Sequence, residues 1–440
     1  MPDICFRISL AAILLITAQV ARAAPEYIQS EQTAPDSVDE SVESAEYAFK
    51  PPRRARVISR LGEAFREGTF DLQLRNYYFH RERDDDTNLE TWAQGGSLGY
   101  ETPWWKNRLR LGTTAYTSQK LDGPADKDGA MLLRPGQKSF SVLGEAYLEA
   151  RLHGNLTLKA YRQEYFFPYL NGNDSRMVPN TFESAALFDA SGEHLVYGLA
   201  HTWRMKLRDS SNFISMTEAA GIDGPDRAVT TAAGRYTLSN AANLGVVNHY
   251  GRDFMNTFYA EVNSRTRPIK DLGLQLSAQF TRQNSIGDEL GGDFDTRSWG
   301  AKLATSYGGL VLSLAHTSTS SDAGIRSHWG GKPSYLSLMI KDFDRADEDA
   351  WLVGLSSDFR YFGEHGFSGF INYARGDTPD RGSNASPDQS EFDVTLDYKP
   401  EPENLKGLWF RLRGALVDQD GSGGTDLNDI RFVANYDFPV

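Results

Sequence analysis

The chain has 440 residues, with 46 Lys and Arg against 59 Asp and Glu and a formal net charge of −13. Its mean hydropathy of −0.49 excludes a protein made of several membrane-spanning helices. The 52 aromatic residues (24 Phe, 20 Tyr and 8 Trp) and 40 Gly exclude a wholly disordered or collagen-like chain.

The N-terminus has the three parts of a secretory signal peptide. Arg7 precedes an apolar run from Ile8 to Ile16, and Ala21-Arg22-Ala23 provides a small-residue cleavage site. The alternative, a membrane anchor, is disfavoured because the run is shorter than the roughly 20 residues that span a bilayer. We therefore expect residues 1–23 to be removed. The remaining chain has no Cys, which excludes disulfides and thiolate metal sites.

Residues 24–64 are predicted to form an acidic, flexible extension. Seven carboxylates and no Lys or Arg lie between Ala24 and Glu46. We interpret the segment as a solvated linker, with a docking tail as the alternative. Residues 65–440 are then expected to form one further domain.

From Thr69 onward, apolar and polar residues alternate. Phe70, Leu72 and Leu74 fall on one face, opposite Asp71, Gln73 and Arg75, as in a two-sided β-strand. The pattern recurs in seven further runs, separated by Gly-, Asp- and Asn-rich turns: residues 140–152, 197–208, 272–280, 351–360, 392–398, 408–416 and 430–438. The pattern predicts an all-β protein.

Two of these runs give specific expectations about side-chain direction. In residues 140–152, strict alternation places Phe140 and Val142 on the same apolar face as Leu148. In residues 197–208, it places Met205 with the apolar residues and Arg204 on the opposite face.

Two architectures fit this pattern: a soluble sandwich or solenoid with a dry core, and a transmembrane antiparallel β-barrel. Charges on the polar strand faces, aromatic residues bordering the apolar faces and the signal peptide favour the barrel. About 370 residues at roughly 20 per strand and loop predict 16–18 strands, enough to enclose an aqueous channel. The aromatic final strand suits a barrel, although the chain ends Pro439-Val440 rather than on an aromatic residue.

Several stretches, in order between about residues 66 and 436, resemble the OprD family of substrate-specific outer-membrane porins. The most recognisable is Asn173-Asp174-Ser175-Arg176, which continues to Glu183 and is similar to the family's inward-folded loop. The other matching stretches are Leu74–Phe79, Arg162-Gln163, Lys206–Phe213, Trp329–Tyr335, Phe343–Trp351, Arg411–Arg413 and Asn428–Arg431. The sequence departs from the family in its acidic extension, in Glu183-Ser184, where the family usually has Gly after the acidic residue, and in its last two residues.

The resemblance implies an 18-stranded barrel, often packed as a homotrimer, with an inward-folded constriction loop. It also implies a narrow pore for small solutes that mostly carry a carboxylate, with a basic ladder along one wall. Outer-membrane lipids, lipopolysaccharide and the barrel assembly machinery are the partners expected of a protein in that membrane.

Arginines on polar strand faces are the candidate ladder. Arg411 and Arg413 are two residues apart and point the same way about 7 Å from one another. Arg431 belongs to the next strand, and barrel closure brings Arg75 beside it. The predicted ladder comprises Arg75, Arg110, Arg411, Arg413 and Arg431. The alternative is that these arginines only neutralise carboxylates across the lumen.

Arg162, Asp174 and Arg176 are the candidates for the constriction loop, where a charged pair sets both the pore radius and the field. Their alternative role is to hold the loop to the wall by a salt bridge. Arg204, Lys206 and Arg208 are secondary lumen candidates, unless they run beyond the membrane into a loop.

No other motif competes with transport. The histidines show no metal-ligand spacing, no cofactor motif is present, and the acidic chain is not expected to bind nucleic acid. The sequence predicts passive, substrate-selective diffusion across a Gram-negative outer membrane, without enzymatic activity. The alternatives are a barrel-rim hydrolase or protease, with His80 and Asp84–Asp86 as its nearest candidate residues, and a secreted soluble β-rich binding protein.

Overall fold

The computed structural model describes residues 68–192, 194–421 and 423–438. The predicted signal peptide, the acidic extension and the final Pro439-Val440 lie outside these residues. No helix in the described ranges is both long and apolar enough to cross a membrane.

Strands account for most of the described chain. In chain order they are β1 (Thr69–Arg83), β2 (Leu89–Glu101), β3 (Leu109–Asp122), β4 (Phe140–Arg151), β5 (Thr157–Gln163), β6 (Phe166–Phe167), β7 (Leu170–Asn171), β8 (Thr181–Asp189), β9 (Leu195–Lys206), β10 (Phe213–Ser215), β11 (Val229–Ser239), β12 (Ala242–Gly251), β13 (Met255–Ile269), β14 (Leu272–Ser285), β15 (Asp295–Tyr307), β16 (Leu310–Thr319), β17 (Asp349–Asp358), β18 (Phe367–Asp377), β19 (Asp388–Tyr398), β20 (Leu408–Asp420) and β21 (Leu427–Asp437). The helical elements are short: an α-helix at Met216–Ala219 and 3₁₀ turns at Ala125–Lys127, Phe359–Phe362 and Glu403–Leu405.

Eighteen of the strands in the described ranges form a closed antiparallel barrel, which confirms the predicted fold class. Each strand pairs with the next along the chain, except that β5 pairs with β8 and β9 pairs with β11 across inserted loops. The first and last strands close the ring, because Arg75 of β1 lies opposite Gly95 of β2 on one side and Asn435 of β21 on the other.

The connections differ in length at the two ends of the barrel. At one end the turns are short, and three of them contain only the residues 240–241, 270–271 and 308–309. At the other end lie the longest connections, including residues 164–180 and 320–348. Outer-membrane barrels have short periplasmic turns and long extracellular loops, so the long-loop end faces the cell surface.

The outer face is apolar and the inner face is polar. In β14, the outward side chain of Leu276 is 61% exposed, whereas the neighbouring inward Ser277 is 8% exposed. Aromatic residues border the apolar outer surface: Phe280 and Trp299 are paired toward the long-loop end, and Tyr307 lies beside the short turns. This is the arrangement of a transmembrane barrel with a wet lumen.

Two β-bulges reverse the side-chain directions that strict alternation predicts. The β3–β4 register shifts at Gly144, so Phe140 is buried in the interior while Leu143 is exposed on the outer surface. The β8–β9 register shifts at Trp203, so Met205 is buried in the interior. The sequence-based expectations for Phe140 and Met205 were therefore wrong, because one extra residue on a strand exchanges its faces.

Two long loops fold into the lumen and pack against each other. We call residues 164–180 the first inner loop and residues 320–348 the second. Leu170 of the first loop forms a parallel β-bridge with Trp329 of the second. The Asn171 side chain donates to the Gly331 carbonyl at 3.0 Å and accepts from its N–H at 2.7 Å. The two loops therefore narrow the lumen together.

Candidate pore constriction

The first inner loop is tied to the barrel wall by an ion pair. Arg75 donates from Nη1 and Nη2 to the two carboxylate oxygens of Asp174, at 2.7 and 3.0 Å. Its Nη1 also donates to the Arg176 carbonyl, and its Nε donates to Asn435 Oδ1 at 3.0 Å. Paired hydrogen bonds between guanidinium and carboxylate fix orientation as well as distance. Arg75 therefore sets where the loop tip lies.

Ser175 lies beside Asp174 and accepts hydrogen bonds from three side chains. Its carbonyl accepts from Arg176 Nη1 at 2.9 Å and from the Tyr77 hydroxyl at 3.4 Å. Its hydroxyl accepts from Arg208 Nη1 at 2.7 Å. Arg208 follows the end of β9 and reaches in from residues 207–228, so two different loops bring arginines to one point.

The ring of Phe79, which faces the lumen, has three guanidinium groups around it. The distances from the ring centroid to the guanidinium carbons are 5.0 Å for Arg431, 5.4 Å for Arg81 and 5.5 Å for Arg176. An aromatic face attracts cations, which helps to hold like charges close together. Burial, and then the charge of Arg431, lower the pKa of the loop residue Arg176 to about 9.

Strands β19 to β21 continue this basic wall. Arg411 donates to both oxygens of Asp397 at 2.7 and 2.9 Å, and Arg431 donates to both oxygens of Asp429 at 2.8 and 3.2 Å. Arg413 lies between them, and its Nε donates to the Thr395 hydroxyl at 3.1 Å. Among the described residues, no carboxylate forms an ion pair with Arg413.

The register places like charges directly opposite each other at this point. Arg413 of β20 is the cross-strand partner of Arg431 of β21, which in turn pairs with Phe79 of β1. Like charges in directly opposed positions of a sheet destabilise it. The two opposed arginines therefore give this part of the lumen a positive potential, and their repulsion reduces the stability of the fold.

The second inner loop reaches the same wall. The Met339 carbonyl accepts from Arg431 Nη2 at 3.3 Å, and the Glu391 carboxylate accepts from the Ile340 and Lys341 backbone N–H groups at 2.9 and 2.7 Å. Elsewhere in the loop, Lys332 forms an ion pair with Asp344 at 2.6 Å. The loop is thus held to the wall by the contacts with Arg431 and Glu391, whereas the ion pair joins two residues of the loop itself.

The structure brings together some of the predicted residues and separates others. Arg75, Arg411, Arg413, Arg431, Asp174, Arg176 and Arg208 lie at or beside the constriction. The remaining four do not: Arg110, Arg162, Arg204 and Lys206.

Arg110 belongs to the short-turn end of the barrel. It forms ion pairs with Glu101 at 2.9 Å and with Glu149 at 2.6 Å, and its guanidinium lies 4.8 Å from the Trp104 ring. Two carboxylates thus neutralise this arginine, as in the alternative considered for the ladder residues. Lys206 is fully buried, and its Nζ donates to the Pro179 carbonyl at 2.7 Å, so it supports the end of the first inner loop from behind.

Arg162 and Arg204 lie on the outer surface of the barrel. Arg162 is the second-last residue of β5, where it pairs with Glu183 at 3.0 Å and contacts the ring of Phe213. Arg204 lies opposite Glu183 and directly follows the bulge at Trp203, which turns it away from the lumen. Local alternation could not reveal this direction without the register shift.

Several residues of the constriction were missed from the sequence. Tyr77 and Phe79 share the inward side of β1 with Arg75, and their spacing of two residues is visible in the sequence. Ser175 lies inside the recognised loop motif. Glu391 accepts from the Ile340 and Lys341 N–H groups, 51 and 50 residues earlier in the chain, and the Met339 carbonyl accepts from Arg431. No local pattern predicts these contacts.

Side chains of the kinds that bind metal ions do not cluster in the described residues. They hold no group of three or more His, Cys, Asp and Glu side chains that could bind a metal ion. The His80 ring lies near carboxylates of its own hairpin, 3.2 Å from Glu82 and 3.9 Å from Glu90.

A closed barrel with an apolar exterior, a charged lumen and two inner loops defines a transmembrane channel protein. The family model for outer membrane porins of the OprD family matches residues 63–440. The chain belongs to this family, and its location is the Gram-negative outer membrane.

Individual relatives are distant in sequence. Porin D of Pseudomonas aeruginosa is 22% identical over 406 residues, which cover 85% of this chain and 91% of that protein. Porins are channels rather than enzymes.

Solved structures share the fold. OccK9 (OpdG) of Pseudomonas aeruginosa has a TM-score of 0.77 at 22% identity, covering 86% of this chain and 100% of that chain. A BenF-like porin from Pseudomonas fluorescens Pf-5 has a TM-score of 0.77 at 20% identity, with the same coverage. OpdK of Pseudomonas aeruginosa, crystallised with vanillate, has a TM-score of 0.74 at 21% identity and covers 84% of this chain and 98% of that chain.

Proposed function

We propose that the chain forms a passive channel selective for small carboxylate-bearing solutes, which pass along the arginines of the constriction. The observation that carries the proposal is the presence there of three arginines that form no ion pair with a carboxylate of the described residues. Arg176 donates to the Ala130 and Ser175 carbonyls. Arg208 donates to a hydroxyl and to a thioether sulfur, and Arg413 donates to a hydroxyl. Their charge remains available to an anion.

The arrangement suits a solute that binds briefly at successive sites. The planar guanidinium group binds a carboxylate through two parallel hydrogen bonds. Conduction requires binding that is favourable enough for entry and weak enough for release. Arg411 already holds Asp397, and Arg431 shares Asp429 with Arg81, so Arg413 lies between two arginines that are engaged with carboxylates. An entering carboxylate at Arg413 also relieves its repulsion with Arg431.

One structural neighbour supports the carboxylate assignment. OpdK was crystallised with vanillate, a carboxylate. At 21% identity that likeness extends to the fold alone, so the assignment to this chain depends on the constriction described above.

The test compares two solutes of nearly equal shape. Single channels of the purified protein are recorded in planar bilayers with benzoate or benzamide added at equal concentration. We expect benzoate to interrupt or reduce the current, because it has a carboxylate, and benzamide to leave the current unchanged. Equal effects of the two solutes would remove carboxylate selectivity, and no conductance at all would remove the channel function.

A further inference from the structure

The outer surface carries a row of charged side chains that transport does not use. Arg162 of β5, Glu183 of β8 and Arg204 of β9 lie on directly opposed positions of three adjacent strands. We call them the outer-face row. Arg162 and Glu183 form an ion pair at 3.0 Å, with the Phe213 ring against the Arg162 guanidinium at 4.2 Å.

Arg204 is the member of the row that takes no part in this ion pair. Its side chain is exposed, and among the described residues no hydrogen-bond acceptor or carboxylate contacts its guanidinium. A cation on the lipid-facing side of a barrel is destabilising at the bilayer midplane and is tolerated only near the interface. Arg204 must therefore lie at the level of the lipid headgroups.

The residues around Arg204 also indicate a position at the level of the lipid headgroups. Arg204 directly follows Trp203, an outward-facing aromatic residue whose ring neighbours the His201 ring at 6.5 Å. Amphipathic rings of this kind occupy the membrane–water boundary. The row is also close to the long-loop ends of its strands, since β5 ends at Gln163 and β9 ends at Lys206. That end faces the cell surface.

A second group on the outer surface has the same composition. Arg282 of β14 is the cross-strand partner of Arg297 of β15, and both pair with Asp295, at 2.7 and 3.8 Å. Here both arginines contact one carboxylate at the long-loop end, whereas in the outer-face row only Arg162 does. Two directly opposed arginines repel one another in a sheet. In the second group the Asp322 carboxylate, which accepts from the Asp295 N–H at 2.6 Å, adds a further negative charge. The excess positive charge therefore lies at Arg204, where it favours an anionic component of the surrounding membrane.

We propose that the outer-face row binds a phosphate group of a lipid in the outer leaflet, with Arg204 as the principal contact. Phosphate accepts paired hydrogen bonds from a planar guanidinium, and its charge balances the excess positive charge of the row. The Phe213 ring and Trp203 provide apolar surface at the height of the upper acyl chains. A lipid is favoured over a second protein copy because the row faces outward beside the aromatic border of the apolar surface.

The test measures lipid A binding to the purified full-length porin by native mass spectrometry in detergent. The probes are diphosphoryl lipid A, the same lipid without its phosphates, and inorganic phosphate. The variants are Arg204→Gln and Arg204→Lys. The matched control is Arg267→Gln, because Arg267 is an exposed arginine near the short-turn end of β13. Heat-modifiable migration on gels verifies that each variant folds.

We expect Arg204→Gln to weaken diphosphoryl lipid A binding about fivefold, the effect of one basic residue at a membrane surface. Arg204→Lys should retain most of the binding, and Arg267→Gln should not change it. Equal losses in Arg204→Gln and Arg267→Gln, or no loss in either, would overturn the proposal. So would equal binding of phosphorylated and dephosphorylated lipid, displacement by inorganic phosphate at equal concentration, or a loss of oligomers with lipid binding unchanged.

Discussion

Arg75 and Asp174 lie 99 residues apart in the chain and are joined in the lumen by two hydrogen bonds of 2.7 and 3.0 Å. The pair connects the first barrel strand to the tip of the first inner loop. The sequence left two roles open for Asp174, a charge in the pore and a tether to the wall. In the structure the two roles coincide, because the ion pair that holds the loop to the wall lies at the constriction.

Loss of this tether is expected to widen and destabilise the pore. Asp174→Asn keeps the size of the side chain but removes its charge. This should weaken loop docking by about 1–2 kcal/mol, because the Arg75 side chain is buried whereas Asp174 is half-exposed. Single-channel recordings should then show a higher mean conductance and more open-channel noise.

The control for that prediction is Asp223→Asn, since Asp223 is an exposed carboxylate in residues 207–228. If Asp174→Asn and Asp223→Asn give the same current traces as the unmodified channel, the tether does not set the pore size. A cycle that combines Asp174→Asn with Arg75→Gln measures the coupling directly.

Arg413 is expected to contribute directly to the binding of a carboxylate in the pore. Arg413→Gln removes the guanidinium that lacks a carboxylate partner, and we expect benzoate to block about tenfold less tightly, the effect of one hydrogen bond to a charged group. Titration of the current with benzoate measures this change. The control Arg267→Gln makes the same substitution at an exposed position near the short-turn end of β13. An unchanged affinity in Arg413→Gln would assign the binding to other residues.

The strands were predictable because their signal is local. Alternation in residues 272–280 placed Leu276 outward and Ser277 inward, as the structure shows. The same rule failed where a bulge adds one residue, so Phe140 and Met205 point into the interior and Arg204 points out of it.

The constriction was predictable only in part. The basic residues on β1, β20 and β21 follow from alternation together with barrel closure, which makes Arg75 and Arg431 near neighbours. The second inner loop was not predicted as part of the pore. Its position depends on the contact of Glu391 with two backbone N–H groups about 50 residues earlier, and backbone donors carry no residue-specific pattern.

Glu391 is expected to hold the second inner loop in the lumen. Glu391→Ala removes the acceptor for the Ile340 and Lys341 N–H groups, which leaves two donors without a partner in the docked loop. Limited proteolysis of the folded porin should then cut within residues 320–348 faster than in the unmodified protein. Glu364→Gln, in a short turn at the opposite end, serves as the control. Equal cleavage rates in all three proteins would show that Glu391 does not anchor the loop.

Docking of the same loop is expected to depend on pH through Asp344. Burial raises the pKa of this carboxyl to about 7, despite the opposing effect of Lys332. In the undocked loop its pKa is about 4. The docked state binds the proton more tightly, so acid favours docking, and docking weakens as the pH rises from about 4 to about 7.

Open-channel noise should accordingly be lower at pH 5 than at pH 8. Asp344→Asn mimics the protonated group and should reduce the difference between the two pH values, whereas Asp347→Asn, at an exposed position in the same loop, should preserve it. More noise at pH 5 in the unmodified channel would contradict the assigned direction.

The loss of stability caused by a charge on the membrane-facing surface is expected to depend on the depth of that charge in the bilayer. Leu276 lies midway along β14 between two positions whose partners on β15 are aromatic: Leu272 pairs with Tyr307, and Phe280 pairs with Trp299. It therefore lies near the bilayer midplane. Leu276→Arg is expected to reduce the free energy of unfolding in lipid vesicles by about 2–4 kcal/mol, because hydrocarbon does not solvate the charge. Tyr307→Arg introduces the same charge at the membrane boundary, where the expected loss is about 0–1 kcal/mol. Reversible urea unfolding, followed by tryptophan fluorescence, measures both. Equal losses would mean that the two side chains occupy the same depth, which a barrel bordered by these aromatic pairs does not allow.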